Sequence, residues 1–497
     1  RAMIDATPAL RAYAALRHAR IASYDPAAVQ ERTLLALVRR AAATRFGRAH
    51  AFGRIRSVAD FQAAVPLRTF DEPWPGRIPY FAVSSGTSTG RTKHVPVSRA
   101  MLRSNNRAGL DVLCHHVRAR PRSRVFAGKT FMLGGSVAFG ELAPGVVSGD
   151  LSGIARAETP RWSSAFLFPS LADAIETDWE RKIDALARRS LDEPIRSIAG
   201  TPSWLLLFFE RLAAIGGRGR NLLSYYPHLD LVIEGGMSVR PYEGEFARWL
   251  ASGDVDVREV YPASEGFVAS ADRGPADGLR LNLDHGLFFE FVPVGEAGGD
   301  RLTRHTVADA EPGVDYELVL STCAGLWAYR IGDTVRLASR RPPRIVVTGR
   351  TSYDLSAFGE HLSGEELERA VLAAAGAIGC RVAEFSVGAR YPGDGDPTGQ
   401  HLFVVETEEP PAGDDPTRRF RDALDRTLAA LNEDYEVHRR NDFQLVPPEV
   451  ILVEPGTFVD WMRARGRLGG QNKVPRVIAD PAIFDTLRTL ALSRRIG

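Results

Sequence analysis

Helical stripes alternate with β-rich runs up to about residue 348, and after Arg350 the alternation begins again, a rhythm that few architectures accommodate. Residues 29–46 place Leu34, Leu35, Leu37, Val38, Ala41 and Ala42 on one face, which predicts a helix ending before Gly47. A second helix is expected over 203–215, after Pro202 and before Gly216-Gly217, apolar enough to be buried. Strands are expected at 229–233, 255–261, 287–294, 316–321 and 345–348. Beyond Arg350 the pattern gives a helix near 364–375, strands near 381–387 and 401–406, and a helix over 418–431. The fold class that follows is α/β, a large N-terminal domain of sheets and packed helices over 1–349. A small α+β domain over 350–497 completes it. Segments 392–397 and 410–413 read as surface turns.

One segment is built as if to hold phosphate. Ser84-Ser85-Gly86-Thr87-Ser88-Thr89-Gly90-Arg91-Thr92-Lys93 follows the apolar run 80–83. Glycines let successive backbone N–H groups converge on one anion, hydroxyls add neutral donors, and Lys93 adds charge. The Gly-Lys-Ser/Thr ending of a Walker loop is absent. An ordinary surface loop has the same composition, so the segment gains weight only from its company. Lysine usage sharpens it: of 63 basic residues only four are lysine, at 93, 129, 182 and 473. Lys93 and Lys473 sit in glycine-bearing loops, where a compact ammonium reaches a single oxygen as a planar guanidinium does not. Lys129 and Lys182 read as leftover surface lysines.

Two further constellations suit a nucleotide. Tyr261-Pro262-Ala263-Ser264-Glu265-Gly266 ends a strand, where α/β ligand sites form. A ring there can stack on a base, and Glu265 can hold a Mg²⁺ bridging phosphate oxygens. Asp333, after Gly332 at the expected start of a strand, can accept from two ribose hydroxyls. Each has a plainer alternative, a turn with a solvated carboxylate. Thr348-Gly349-Arg350 marks the end of the large domain.

Composition narrows the classes. A formal charge of +2 with 25% charged residues does not suggest a nucleic-acid or membrane partner, and no stretch approaches the roughly 18–20 apolar residues of a membrane span. Cys114, Cys323 and Cys380 are odd in number and scattered, with neither disulfide nor metal-ligand spacing, which implies a reducing, cytoplasmic setting. The missing initiator methionine implies that a few leading residues are absent. Among eleven histidines only His115-His116 are adjacent, and they read as a helix-surface pair rather than a zinc site. Gly134-Gly135-Ser136 reads as a turn at a strand end. The helix at 203–215 and the turn Gly235-Gly236-Met237 are candidate walls of an acid pocket.

In this order the segments resemble the adenylate-forming superfamily, and within it the auxin-responsive acyl acid amido synthetases and their bacterial relatives. The resemblance covers nearly the whole chain. It takes in Thr44-Arg45-Phe46-Gly47-Arg48, the loop at 84–96, Gly200-Thr201-Pro202-Ser203-Trp204, Glu234-Gly235-Gly236-Met237 with Tyr242, and Tyr261 to Gly266. It continues through Tyr316 to Thr322 into Tyr329-Arg330-Ile331-Gly332-Asp333, then Leu431-Asn432-Glu433-Asp434-Tyr435. Gly456-Thr457-Phe458 with Gln471-Asn472-Lys473-Val474-Pro475-Arg476 is the pair most particular to the amido synthetases. Departures stand at Asn472, Ala263 and His361, where relatives carry an aromatic residue, a small hydroxyl residue and a lysine.

The resemblance implies an ATP- and Mg²⁺-dependent ligase. It would activate a carboxylic acid as an acyl-adenylate and pass the acyl group to an amino acid or other amine. Nucleotide contacts would come from Ser84, Ser85, Gly86, Thr87, Lys93, Tyr261, Ser264, Asp333 and Arg350. Glu265 would carry the metal, and Lys473 would be delivered by a small domain swinging about Arg350. An acyl-CoA ligase would share all these motifs, and a non-catalytic nucleotide or carboxylate sensor is the reading from another class.

Overall fold

The computed structural model describes residues 4–68, 78–84, 93–134, 137–159, 163–171, 173–176, 179–236, 239, 243–251, 254–294, 302–350, 362–390, 399–411, 413–432, 435–436, 439, 445–468, 473–478 and 480–496. They divide into two compact units between Val347 and Thr348.

The larger unit is organised on strands β1 (Tyr80–Ser84), β2 (Lys93–Val97), β3 (Lys129–Met132), β4 (Gly140–Ala143), β5 (Val146–Gly149), β6 (Leu167–Phe168), β7 (Ile195–Gly200), β8 (Leu231–Gly235), β9 (Asp256–Ala263), β10 (Gly266–Ser270), β11 (Leu279–Leu281), β12 (Leu287–Pro293), β13 (Asp315–Thr322), β14 (Tyr329–Arg340) and β15 (Pro343–Arg350). Eleven of them form one sheet in the order β12-β13-β14-β15-β11-β10-β9-β8-β7-β3-β6. Strands β6, β3, β7, β8 and β9 run parallel, and the direction reverses at the β9–β10 hairpin. The parallel half is reached through crossover helices, among them Pro202–Gly216 between β7 and β8. That helix buries Leu205, Phe208, Phe209 and Leu212 and ends on Gly217 at φ +64°. Strands β2-β1-β5-β4 make a second sheet.

The single helix expected over 29–46 is two. Pro26–Ala41 starts on an Asp25 cap with proline in its first turn, and Arg45–Ala49 follows as a separate turn and a half. The break is made by Thr44, whose hydroxyl donates to the Ala41 carbonyl (2.7 Å) and accepts from the Gly47 amide (3.0 Å). Gly47 lies inside the second helix instead of ending the first. A Cβ there would stand 2.1 Å from the Ala41 carbonyl oxygen, so only glycine allows the two helices this approach. The turn delivers Phe46 onto Trp327, beside Phe52 and Phe61.

In the smaller unit, β16 (Val382–Arg390), β17 (Gln400–Thr407) and β18 (Glu449–Val453) form one sheet, antiparallel then parallel. Alternation divides it into two cores. Phe403, Val405, Val450 and Leu452 pack with the helices Gly364–Ala377 and Pro416–Leu431, whereas Leu402, Val404, Ile451 and Val453 pack with Thr457–Ala464 and Pro481–Ser493.

Several surface assignments are corrected by burial. His115 and His116, expected on a helix surface, are 4% and 0% exposed. His116 bridges the Asp256 carboxylate and the Ser123 hydroxyl, both at 2.8 Å, while burial holds His115 neutral, with its pKa lowered to about 3. Lys182 is 3% exposed and donates to the Gly134 carbonyl at 2.9 Å, fixing the end of the β3 segment. Lys129 pairs with Glu193 at 2.6 Å. Cys114, Cys323 and Cys380 are free thiols, and among the described residues no helix is long and apolar enough to cross a membrane.

Candidate functional site

The phosphate loop expected at 84–96 is shorter in the structure: Ser84 ends β1, residues 93–96 belong to β2, and Ser84 and Lys93 are register partners in that antiparallel pair. Ser85, Gly86 and Thr87 lie outside the described residues, as do the side chains of Ser84, Lys93 and Arg350.

Tyr261, Ser264, Glu265 and Asp333 are described, and they belong to the larger unit. Tyr261 is in β9, the last parallel strand, and Ser264 and Glu265 form the half-buried turn that reverses the chain into β10. The turn is closed by Gly266, where a Cβ would meet Leu287 at 2.8 Å. Carboxyl ends of parallel strands beside such a reversal are where α/β sheets present ligands.

Asp333 corrects its expected position: it lies within β14, four residues past the start of a twelve-residue strand, and not at a strand's beginning. It and Tyr261 are buried, and the Tyr261 hydroxyl donates to Asp333 Oδ2 across 72 residues of sequence. The structure therefore brings together two residues assigned to different parts of a nucleotide. Holding the phenol by its hydroxyl fixes where the ring lies, which suits a stacking surface. The neighbouring Arg330 forks onto Glu317 of β13, with contacts of 2.9 and 3.0 Å from Nε, so this part of the motif pins β14 to β13.

Magnesium chemistry can be tested against these donors. Among the described residues no group of three or more His, Cys, Asp or Glu side chains could hold a metal ion. A single half-buried carboxylate such as Glu265 matches the way Mg²⁺ is carried by one or two carboxylates plus substrate phosphates. The residues present fit that mode.

Lys473 belongs to the smaller unit and is half-buried. Its segment is tied to β16. Ser386 donates to the Pro475 carbonyl (2.6 Å), the Val387 amide donates to the Arg476 carbonyl (2.7 Å), and Arg476 pairs with Glu384 while lying 4.5 Å over the Phe385 ring. Arg476 is thus an anchor for the segment that bears Lys473. Gly456-Thr457-Phe458 is held likewise: buried Glu406 accepts from the Gly456 and Phe458 amides at 2.9 and 2.8 Å. Burial pushes this carboxyl above its ordinary range, against those hydrogen bonds. Sequence reasoning missed Glu406, because nothing local links it to a turn 50 residues away.

It also missed Glu234, quoted above only as part of a motif. Glu234 lies at the carboxyl end of β8, 2% exposed, with Oε2 buried and without a hydrogen-bond partner. Burial, then the charges of Glu259 and Glu243, raise its pKa to about 8. The available signal was an acidic residue closing an otherwise apolar parallel strand.

The GH3 family N-terminal, central and C-terminal domains match residues 16–73, 281–350 and 365–482. The indole-3-acetic acid-amido synthetase GH3.8 of Oryza sativa subsp. indica is 33% identical over 287 residues, 54% of this chain and 46% of that protein. The probable indole-3-acetic acid-amido synthetase GH3.9 of Oryza sativa subsp. japonica is 30% identical over 54% of this chain and 64% of that protein. The chain thus spans about half to two thirds of the length of these curated relatives. Among solved structures, GH3.15 acyl acid amido synthetase superposes with a TM-score of 0.79 at 17% identity, covering 97% of this chain and 96% of that one. A 2-hydroxyisobutyryl-CoA ligase in the postadenylation state superposes at 0.61, also at 17%, covering 94% and 93%. At such identity these likenesses speak for the fold alone. Three GH3 domain matches in chain order, together with the similarity to the plant indole-3-acetic acid-amido synthetases, support the GH3 acyl acid amido synthetase family for this chain.

Proposed function

We propose that the chain is an acyl acid amido synthetase, a ligase that uses ATP and magnesium to join a carboxylic acid to an amino acid or other amine. The observation that carries the reading is the succession of three GH3 domain matches on an adenylate-forming fold. In the first step an oxygen of the acid's carboxylate would attack the α-phosphorus of ATP, forming the acyl-adenylate as pyrophosphate leaves. In the second the amine nitrogen would attack the activated carbonyl, AMP would leave, and the nitrogen would lose a proton. Tyr261 would lie against the base and Asp333 would hold the ribose through the oxygen that the Tyr261 phenol leaves, with Ser264 and Arg350 nearby. Ser84, Ser85, Gly86, Thr87 and Lys93 would stabilise charge developing on the phosphates. Glu265 would hold magnesium, which supplies charge neutralisation on phosphate oxygens. Lys473 would neutralise charge in the first step, and a hinge near Arg350 would let one site serve two reactions in turn. The domains in this reading are 1–349 and 350–497. The arginine-rich composition and three unpaired cysteines support a bacterial, cytoplasmic protein.

Pyrophosphate release over a panel of carboxylic acids, with no acceptor, pooled amino acids and amines, or CoA, with products identified by mass, tests the reading. Acid-dependent release yielding an amide is the expected result. A thioester formed instead would move the chain to the acyl-CoA ligases, the reading that the 2-hydroxyisobutyryl-CoA ligase likeness favours. Lys473→Ala should abolish release while ATP binding persists, and normal release by that variant would remove Lys473 from the reaction.

A further inference from the structure

Three parallel strands bring Gly200 of β7, Glu234 of β8 and Glu259 of β9 into one row at their carboxyl ends, as successive register partners. Partners in such a row project to one face of the sheet. The helix Pro202–Gly216 lies on that face, because a Cβ on Gly200 would stand 2.9 Å from Leu205 of that helix. The row cannot slip: a Cβ at Gly235, the next residue of β8, would fall 2.1 Å from the Val260 carbonyl oxygen. Tyr261 is two positions beyond Glu259 on β9 and so leaves the same face. The row therefore sits one step behind the Tyr261–Asp333 pair, beside the helix and glycine turn put forward as walls of the acid pocket.

Glu234 is anomalous within this row. Its carboxyl is buried, and among the described residues Oε2 has no partner and the charges acting on it are acidic, Glu259 from β9 and Glu243 from the helix Glu243–Leu250. On this face β7 places Gly200 as the register partner of Glu234, and Pro202–Gly216 places Leu205 against Gly200, neither of which carries a charge. A structural carboxylate is normally given an arginine or backbone amides, as Glu406 and Glu317 are here. A second acceptor group would be repelled by the neighbouring Glu259, whereas a cation would pair with the Glu234 carboxyl.

We propose that Glu234, with Glu259, is a subsite for an ammonium group carried by a substrate, on the acid or on the amine. The inference rests on the amido synthetase reading of this site and names a substrate class for it. Ammonium binding must first remove the Glu234 proton, so affinity should rise with pH up to about 8 and then level off.

Calorimetry on the full chain tests this with two isosteric pairs: 4-(aminomethyl)benzoate against 4-(hydroxymethyl)benzoate for the acid, and 1-aminopentane against 1-pentanol for the amine. The expected result is that the ammonium member of one pair binds at least tenfold tighter, that its advantage grows from pH 6 to pH 8, and that Glu234→Gln reduces it below threefold. The pair showing the effect identifies which substrate carries the cation. No advantage in either pair, or one that survives Glu234→Gln, would overturn the proposal. The pH dependence uses wild-type protein alone and decides the matter if the variant does not fold. Because binding is read without turnover, amide synthesis lacking this pattern would sink the subsite and keep the function. The pattern without amide synthesis would do the reverse.

Discussion

Two buried ionic regions of the larger unit obey opposite rules. Around Arg17, each charge has a partner: the guanidinium donates to Asp111 at 2.7 and 2.9 Å and to Asp284 at 2.7 and 2.8 Å. His285 sits 3.0 Å from Asp111, and the Tyr24 hydroxyl donates to Asp284 at 2.6 Å. Burial alone would raise both carboxyls, yet hydrogen bonds and charge from Arg17 and His285 bring both below the usual carboxylate range, with Tyr24 adding to Asp284. Around Glu234 burial and the like charges of Glu259 and Glu243 act in the same direction. The first arrangement joins the N-terminal helix Thr7–Ala22 to Arg99–Ala119 and to the turn before β12. In the second, among the described residues, Glu234 Oε2 has no partner, and that is why it reads as a place for a ligand and the first as scaffold.

The largest expected effect breaks the scaffold. Arg17→Met should cost about 3–5 kcal/mol in denaturant titration, because a buried Asp111 and a half-buried Asp284 are left without their cation. A loss below about 1 kcal/mol would mean that the network is no more than a surface pair.

Glu234→Gln should move the other way. The folded protein holds the Glu234 proton up to about pH 8, whereas the unfolded chain releases it near the ordinary value of 4.5. Between these values the native state binds more protons, so its stability falls as pH rises. The variant lacks this term and should be more stable than wild type above pH 8, by an amount on the order of a few kcal/mol. Its advantage should shrink to nothing near pH 4, and a difference independent of pH would contradict the assignment. The Arg17 carboxyls have the opposite sign. Their stabilisation is complete above the ordinary value of 3.8 and is lost as pH falls below it.

A smaller effect, about 1–2 kcal/mol, is expected for Glu406→Gln, which keeps the side chain's shape and weakens two charge-assisted bonds to the Gly456 and Phe458 amides. Hydrogen exchange at those two amides should accelerate, and unchanged exchange would show that Glu406 does not hold the turn. The smallest belongs to Arg120→Ala. Its 2.6 Å pair with Asp254 is exposed on both sides, and the unfolding midpoint should shift by less than about 1 kcal/mol.

Much of the fold was legible in the sequence because it rests on local periodicity. The run 401–406 is a strand in the structure, and so is 316–321; the helix over 203–215 is found at Pro202–Gly216. The failures were local in form and distant in cause. The helix over 29–46 was split by a hydroxyl that prefers bonding its neighbours' backbone to propagating the turn. The start of β14 was set at Asp333, because Gly332 reads as a break, whereas pairing with β13 carries the strand back to Tyr329. Lys182 and His116 were placed on the surface because polar residues usually lie there.

The sequence alone determined which side chains are present and in what order: the hydroxyl and glycine loop, the Tyr-Arg-x-Gly-Asp segment, four lysines among 63 basic residues, and the restart of the pattern after Arg350. Periodicity carried that information because a helix or strand repeats within a few residues. Tertiary structure alone decided that Tyr261 meets Asp333, that Arg476 and Glu406 are anchors, and that a buried Glu234 stands beside a half-buried Glu259. Those outcomes turn on burial and on contacts between residues tens of positions apart, and desolvation acts on a carboxyl only after the chain has closed around it.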